Sequence, residues 1–388
     1  MFAISLWLIV QAYQSYFSYP VITNIRKYVD QEHLFPAVTI CNLEPLLSKT
    51  ASDYIEKYLP NDFNYTLENL EKLIRTRKGL LDLMSGNHFN FEEKKLFGYS
   101  IDETIINCMF NGTLCSNFSQ EFIWYYSYKY ANCFTYNSGF VHLNESKETI
   151  PVKTVSRDGV EYGLSLELYV GSRDARYSLE QYGAIVFIHN QSSLPESSSG
   201  IILKPGTQTN VVIEKNFNSY TPSPYSECQD LSTLEFDRTY YETILQASLT
   251  YTQSICLDLC LRQQIIKKCN CSYLEFIEFH DSVPCSTDSE IKCAQSLFDL
   301  ISFESSLESC SSIYHCPLEV NKYSAQIFGV FMKASVTIIL PEKTQNCALY
   351  SYVQIFFKEK CVRVPKAKSP YVPRASLQIS PEDPRRVY

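Results

Sequence analysis

The chain has 388 residues, of which 45% are hydrophobic and 20% are charged. This composition supports one or two folded domains with a substantial core and excludes an intrinsically disordered polymer. The formal net charge of −8 excludes a general attraction to nucleic acid, so no nucleic-acid partner is expected.

The N-terminus opens with an apolar run over residues 1–10 that fades into a polar and aromatic stretch. The run has about ten to thirteen apolar residues, whereas a membrane-spanning helix needs about twenty. A signal peptide and the outer half of a membrane helix therefore both stay open. No basic residue precedes the run and no small-residue cleavage site follows it, which disfavours a signal peptide. Four aromatic residues suit the interfacial belt of a membrane helix: Trp7, Tyr13, Tyr16 and Tyr19.

The next 200 residues predict an extended segment, then helices, then short strands. Residues 20–45 are predicted to be extended, with Phe35–Asn42 at their centre. Residues 50–98 are predicted to be helical, because their apolar residues recur at spacings of three and four. Residues 133–217 are predicted to form short strands, because apolar and polar residues alternate between glycines.

The C-terminal part predicts one more helix and one more strand. Helical spacing runs from Tyr240 to Ile266, and Tyr350–Phe357 alternates as a half-buried strand does. Residues 358–388 are basic, rich in proline and poor in apolar residues, which is typical of a disordered tail.

Cysteine usage indicates an oxidising compartment. The chain has 15 cysteines, and seven of them cluster between Cys256 and Cys310 in closely spaced pairs. Six N-x-S/T sequons fit the same compartment and predict glycosylation at Asn64, Asn111, Asn117, Asn144, Asn190 and Asn270. An extracellular body is therefore expected.

The cysteine spacings suit local disulfides. Cys108 and Cys115 would close a small loop in which Gly112 makes the tight turn. Cys256 and Cys260 lie one helical turn apart, so a helix would present both on one face. The alternative is a zinc site, since closely spaced cysteines also bind zinc. The oxidising compartment and the sequon between Cys269 and Cys271 disfavour it, so neither a metal nor another cofactor is expected.

Five motifs in order resemble the degenerin/epithelial sodium channel/acid-sensing channel family. They are Phe-Pro-Ala-Val-Thr-Ile-Cys-Asn at 35–42, the Cys108 to Cys115 loop, Asn132–Gly139, Ser223–Cys228 and the cysteine series from Cys256 to Cys271. The Cys310 to Val320 stretch resembles the last cysteine group of the family. The resemblance runs from about residue 10 to residue 357.

This resemblance implies an α+β, disulfide-rich, hand-like ectodomain, with a palm β-sheet, a β-ball, and a helical finger and thumb, behind a partial N-terminal transmembrane helix. It implies a trimer of channel subunits in the plasma membrane, most of the chain extracellular, conducting sodium ions and blocked by amiloride. The implied boundaries are a partial first membrane helix at 1–19, an extracellular domain at 20–357 and a tail at 358–388. Within the domain they are a palm strand at 20–45, the finger at 46–132, palm and β-ball strands at 133–227, the thumb at 228–322 and returning palm strands at 323–357.

The resemblance also implies particular pairs of residues. The implied disulfides are Cys41–Cys133, Cys108–Cys115, Cys256–Cys316, Cys260–Cys310, Cys269–Cys293 and Cys271–Cys285. Tyr19 and Tyr225 match two aromatic positions that meet between the first membrane helix and the base of the thumb in the family. Their contact would couple thumb movement to the pore, or would simply pack a joint.

Two departures from the family pattern bear on these expectations. Val320 stands where the family has a cysteine, so Cys228 loses its usual partner and either finds a new one or stays a buried thiol. Cys347 and Cys361 are likewise unassigned. No apolar segment of membrane-spanning length follows Phe357, so the second membrane helix and the pore-lining residues have no counterpart here.

Three functions are weighed on this basis. The first is a subunit of a ligand-gated sodium channel whose ectodomain senses a stimulus and gates the pore. The alternative is a non-conducting ectodomain that binds channel subunits or ligands without forming a pore. An enzyme is not expected, because the six histidines form no His-x3-His pair and the chain has no nucleophile elbow, P-loop or dinucleotide fingerprint.

Overall fold

A computed structural model of the chain describes residues 2–19, 32–59, 66–85, 89–172, 182–191, 200–228, 250–271, 319–332 and 348–357, apart from single positions within these ranges, together with isolated positions between 193 and 297. The helices are α1 (Phe2–Phe17), α2 (Lys49–Glu56), α3 (Leu67–Ser85), α4 (Phe91–Lys95), α5 (Ile101–Thr104), α6 (Phe118–Glu121) and α7 (Gln253–Cys269). The strands are β1 (His33–Leu34), β2 (Ala37–Asn42), β3 (Ile105–Phe110), β4 (Thr113–Leu114), β5 (Phe122–Ser127), β6 (Ala131–Tyr136), β7 (Phe140–Leu143), β8 (Ser146–Thr149), β9 (Thr154–Val155), β10 (Leu164–Ser172), β11 (Ala184–His189), β12 (Ile201–Leu203), β13 (Thr207–Ser219), β14 (Glu319–Met332) and β15 (Ala348–Phe357). The chain is an α+β protein.

Two sheets form the body. A five-stranded sheet has the order β12-β11-β2-β6-β5, and a six-stranded sheet has the order β14-β13-β15-β10-β3-β4. All pairs are antiparallel except β13 with β15, which is parallel. The strands predicted over residues 133–217 and over Tyr350–Phe357 are confirmed.

The main core lies where these two sheets face each other. Alternating residues of β10 point into it, and Leu164, Leu166 and Leu168 are at most 1% exposed. Val353 and Ile355 of β15 enter the same core from the neighbouring strand. Residues from β2, β6 and β11 line the opposite wall. Period-two alternation therefore predicts the buried side of the six-stranded sheet.

The three central strands of the five-stranded sheet, β11, β2 and β6, are buried on both faces. All residues of β2, β6 and β11 are buried, and the face turned away from the main core carries Cys41, Cys133, Ile185 and Phe187. A strand buried on both faces has no alternation to show. This explains why the sequence of 35–42 predicted an extended segment but not which side would face the core.

A helical cluster packs around α2 and α3. Ser48 caps α2, and its Oγ accepts a hydrogen bond from the N–H of Ala51. Ile55 of α2 and Leu73 and Leu80 of α3 are buried in one cluster. The predicted helical region 50–98 therefore contains α2, α3 and α4, which confirms the helical spacing.

Glu44 and Arg77 form a buried ion pair that ties the end of β2 to α3. Burial lowers the pKa of Arg77 to about 10. The N–H of Glu44 donates to Asn42 Oδ1, which fixes the segment leaving β2. The pair holds the helical cluster to the five-stranded sheet.

The helix predicted from Tyr240 to Ile266 is interrupted in the structure, where Ile244 is helical but a later stretch is not. The described residues 250–252 are not helical, and α7 begins at Gln253. Thr252 caps it, since its Oγ1 accepts a hydrogen bond from the N–H of Ile255. At the other end Asn270 takes a left-handed conformation with φ of 58°, and its N–H donates to Ile266 O. A capping threonine in the middle of the periodic stretch therefore marks the start of α7.

Candidate functional site: an aromatic joint and the cysteine framework

The structure brings Tyr19 and Tyr225 together. Their ring centroids lie 5.5 Å apart with the planes at 80°, an edge-to-face contact. Tyr19 follows the last turn of α1, and it also contacts the rings of Tyr16 and Phe17. The joint therefore connects the end of α1 to the segment that follows β13.

Hydrogen bonds between residues close in sequence hold the loop that carries Tyr225. The Tyr225 N–H donates to Pro222 O at 3.1 Å, and Ser226 Oγ donates to Thr221 O at 2.5 Å. The Cys228 N–H then donates to Ser226 Oγ at 3.1 Å. Cys228 is buried and disulfide-bonded. Tyr225 lies three positions before this disulfide-bonded cysteine.

One disulfide staples the five-stranded sheet. Cys41 of β2 and Cys133 of β6 are directly opposite in the antiparallel register, with Cα atoms 4.4 Å apart. That separation is typical of a non-hydrogen-bonded pair, where side chains come closest. The structure thus forms the Cys41–Cys133 pair that the resemblance implies, and the register explains why the two sulfurs meet.

A second disulfide closes the hairpin of β3 and β4. Cys108 and Cys115 are bonded with Cα atoms 5.4 Å apart, and the Cys115 N–H donates to Cys108 O. Asn111 and Gly112 make the two-residue turn with φ of 51° and 71°. Two consecutive positive φ values define a type I′ turn, which asparagine and glycine favour. The tight turn expected at Gly112 is present.

Two further disulfides lie at the end of α7. Cys269 is bonded to Cys293 and Cys271 to Cys285, with Cα separations of 5.9 and 4.8 Å. Ile265 and Ala294 pack beside these cysteines in a small buried cluster. Because their sulfurs are engaged in disulfides, Cys269 and Cys271 do not act as zinc ligands here.

The expected Cys256–Cys316 pair requires correction. Cys256 is a buried free thiol in the first turns of α7, whereas Cys260 and Cys228 are both disulfide-bonded. Val320 stands where the family pattern has a cysteine, and among the described cysteines the free thiol is Cys256 and not Cys228. Burial raises the pKa of the Cys256 thiol, partly opposed by a hydrogen bond with Tyr251. The expected partners Cys310 and Cys316 lie outside the described residues, as do Cys347 and Cys361.

The sequons occupy different environments. Asn111, Asn117 and Asn270 are exposed, and the first lies at the tip of the β3–β4 hairpin. Asn190 is partly buried, and its carbonyl accepts a hydrogen bond at 2.8 Å from His189 Nδ1. Asn64 and Asn144 lie outside the described residues.

The structure also shows a buried polar chain that the sequence analysis missed. His189 Nε2 lies 2.8 Å from Thr39 Oγ1, and Thr39 Oγ1 lies 2.7 Å from Thr135 Oγ1. Since Asn190 O can only accept, Nδ1 carries the proton, and Nε2 of the neutral ring accepts from Thr39. Burial lowers the pKa of His189 to about 4. One hint of this chain was present in the sequence: Thr39 and Thr135 lie in the middle of two motifs that form neighbouring strands.

Comparison with known proteins assigns this disulfide-rich α+β chain to a family of ion channels. Residues 1–364 match the amiloride-sensitive sodium channel family, and the chain belongs to that family. Members of this family are ion channels, not enzymes. The resemblance noted from the sequence motifs is therefore confirmed.

Individual relatives cover different parts of the chain. It is 30% identical over 186 residues to the gamma subunit of an epithelial sodium channel from Neoceratodus forsteri, an alignment that covers 47% of this chain and 26% of that subunit. It is 24% identical over 375 residues to acid-sensing ion channel 1A of Danio rerio, covering 88% of this chain and 67% of that channel. It is 24% identical over 357 residues to a bile acid-sensitive ion channel of Mus musculus, covering 89% and 67%. The chain thus spans about a quarter of the gamma subunit and about two thirds of the other two.

The helix α1 has 16 residues, all of them exposed, and carries no charged side chain. Within the described ranges, no helix combines the length and apolar character needed to cross a bilayer.

Proposed function

We propose that this chain provides the gating ectodomain of a sodium-conducting, amiloride-sensitive channel subunit that assembles as a trimer in the plasma membrane. The contact between Tyr19 and Tyr225 carries the proposal. It joins the end of an exposed apolar helix to a loop fixed by a disulfide-bonded cysteine. A stimulus that moves the disulfide-rich region would therefore pull on α1 through this joint.

The parts of the hand are assigned on the same basis. The two packed sheets correspond to the palm and β-ball, the cluster of α2 and α3 to the finger, and α7 with its disulfides to the thumb. The helix α1 corresponds to the outer part of the first membrane helix. Its apolar, uncharged surface is exposed on every side, as a lipid-facing helix would be.

Voltage clamp of cells that express the chain alone, and together with a full-length family subunit, tests the function. We expect an amiloride-sensitive sodium current to which this chain contributes, with acid steps used as the stimulus probe. Sodium current from the chain alone would rule out a non-conducting role. No current alone, combined with an altered current of the partner, would favour the non-conducting ectodomain that binds channel subunits.

Substitution at the joint tests the mechanism. Tyr225→Ala removes the edge-to-face contact, which is worth about 0.5–1.5 kcal/mol, so we expect a two- to tenfold shift in the gating equilibrium at unchanged surface expression. Tyr225→Phe keeps the ring and should behave as the unchanged protein. Tyr58→Ala removes an equally exposed tyrosine on the segment after α2 and is the matched control. Additive effects of Tyr19→Ala and Tyr225→Ala in a double-mutant cycle would refute coupling through the joint.

A further inference from the structure

Strand β13 leaves the body of the protein halfway along its length. Its pairing with β15 ends at Ile213, whereas its pairing with β14 continues to Ser219. Up to Ile213 every second residue of the strand is buried, and from Glu214 to Ser219 none is. The last part of β13 is therefore a two-stranded ribbon that projects beyond the core.

Large aromatic side chains lie exposed on this ribbon and on the segment after it. Phe217 is 63% exposed, Tyr220 43% and Tyr225 46%. Tyr225, in the segment that follows the ribbon, contacts Tyr19, so this segment meets the end of α1. Tyr16, which lies on α1 three residues before Tyr19 and contacts its ring, is 71% exposed. Exposed aromatic rings thus lie on the ribbon, on the segment after it and on α1, and the contact between Tyr19 and Tyr225 joins that segment to the end of α1.

We propose that Phe217, Tyr220 and Tyr225, together with Tyr16 and Tyr19, form an aromatic collar that binds the headgroup region of a phospholipid bilayer. This inference rests on the proposed function, which places α1 in the membrane. The collar would fix the height and tilt of the ectodomain above the bilayer at the joint that transmits gating.

The chemistry of the collar favours lipid headgroups over other partners. Four of its five rings are tyrosines, whose apolar body and polar hydroxyl suit a boundary that is apolar on one side and wet on the other. The remaining ring, Phe217, has the ammonium group of Lys215 4.9 Å from its centroid. A cation beside an exposed ring suits a layer of lipid phosphates. The uncharged α1 continues the same surface towards the apolar interior.

Fluorescence quenching on the whole chain in lipid nanodiscs of phosphatidylcholine and phosphatidylserine tests the collar. Phe217→Trp is introduced with Trp7→Phe and Trp124→Phe, so that it is the sole tryptophan. Lipids with a spin label on the headgroup should reduce its emission by about half or more, as expected for a side chain at headgroup depth. Tyr58→Trp in the same background, exposed at 53% in the starting protein, is the matched control and should keep its emission.

The native Trp7 separates this proposal from the proposed function. With Trp124→Phe as the only change, Trp7 should be quenched by lipids brominated along their acyl chains if α1 lies in the membrane. Quenching of Trp7 without quenching at position 217 would overturn the collar and leave the membrane placement of α1 intact. A blue-shifted but unquenched emission at position 217 would mean that protein, such as a second subunit, covers the ribbon, and would also overturn it. Quenching at both positions would support the collar, whereas quenching at position 217 without quenching of Trp7 would overturn the membrane placement of α1 and with it the collar as proposed.

Discussion

The five-stranded sheet and the region around α7 use cysteine in different ways. In the sheet, Cys41 and Cys133 face each other across a fixed register, and they connect parts of the chain 92 residues apart. Around α7, several cysteines lie within a few residues of one another, and Cys256 is left as a free thiol beside the bonded Cys260. A sheet register admits one partner, whereas a cluster on a helix admits several. With Val320 in place of the family's cysteine, the sheet bridge is kept, and the free thiol found among the described cysteines lies in the second region.

The largest effect is expected from removing the bridge within the sheet. In the chain-entropy account, Cys41→Ser with Cys133→Ser releases a loop of 92 residues and lowers the free energy of unfolding by about 4–5 kcal/mol. Cys108→Ser with Cys115→Ser opens a loop of only seven residues and should cost about 2 kcal/mol. Denaturant unfolding of the purified chain measures both. Equal losses would show that loop length is not what makes the sheet bridge important.

The second effect concerns the buried histidine of the same sheet. His189 has a pKa of about 4 when folded and about 6.5 when unfolded, so the unfolded chain takes up a proton first as the pH falls. The contribution of the neutral His189 to the free energy of unfolding is therefore fully present above about pH 6.5. It is lost as the pH falls towards 4, which lowers that free energy by up to about 3 kcal/mol. Unfolding measured between these pH values tests it. His189→Gln cannot titrate and should reduce this slope, and an unchanged slope would assign it to other groups.

The smallest effect is expected at the free thiol. Cys256→Ala removes no bridge and should cost about 1 kcal/mol, whereas Cys269→Ala with Cys293→Ala removes one and should cost about 3 kcal/mol. Because Cys256 is buried and its pKa is raised, an alkylating reagent should modify it only after denaturation. Rapid labelling of the native, unreduced protein at Cys256 would contradict the burial. Absence of labelling after denaturation would show that it is bonded after all, as the family pairing implied.

The comparison also shows where sequence reasoning worked. Alternation over residues 133–217 predicted strands, and along β10 it coincides with burial because one side of that strand meets the core and the other does not. The Asn111–Gly112 turn followed from local chemistry, since few residues other than glycine and asparagine tolerate positive φ. The helix predicted from Tyr240 to Ile266 missed a break at residues 250–252, because apolar spacing continues through Thr252 although the helical backbone does not.

The sequence by itself determined the class of protein, the oxidising compartment, and the positions of most helices and strands, because these depend on residue types and spacings close together in the chain. Only the tertiary structure decided which thiol stays free, that Glu44 pairs with Arg77, and that His189 joins two threonines in a buried chain. It also decided that β13 runs past the core to carry exposed aromatic rings towards α1. Each of these depends on contacts between residues far apart in sequence, where register, burial and competition among partners determine the outcome.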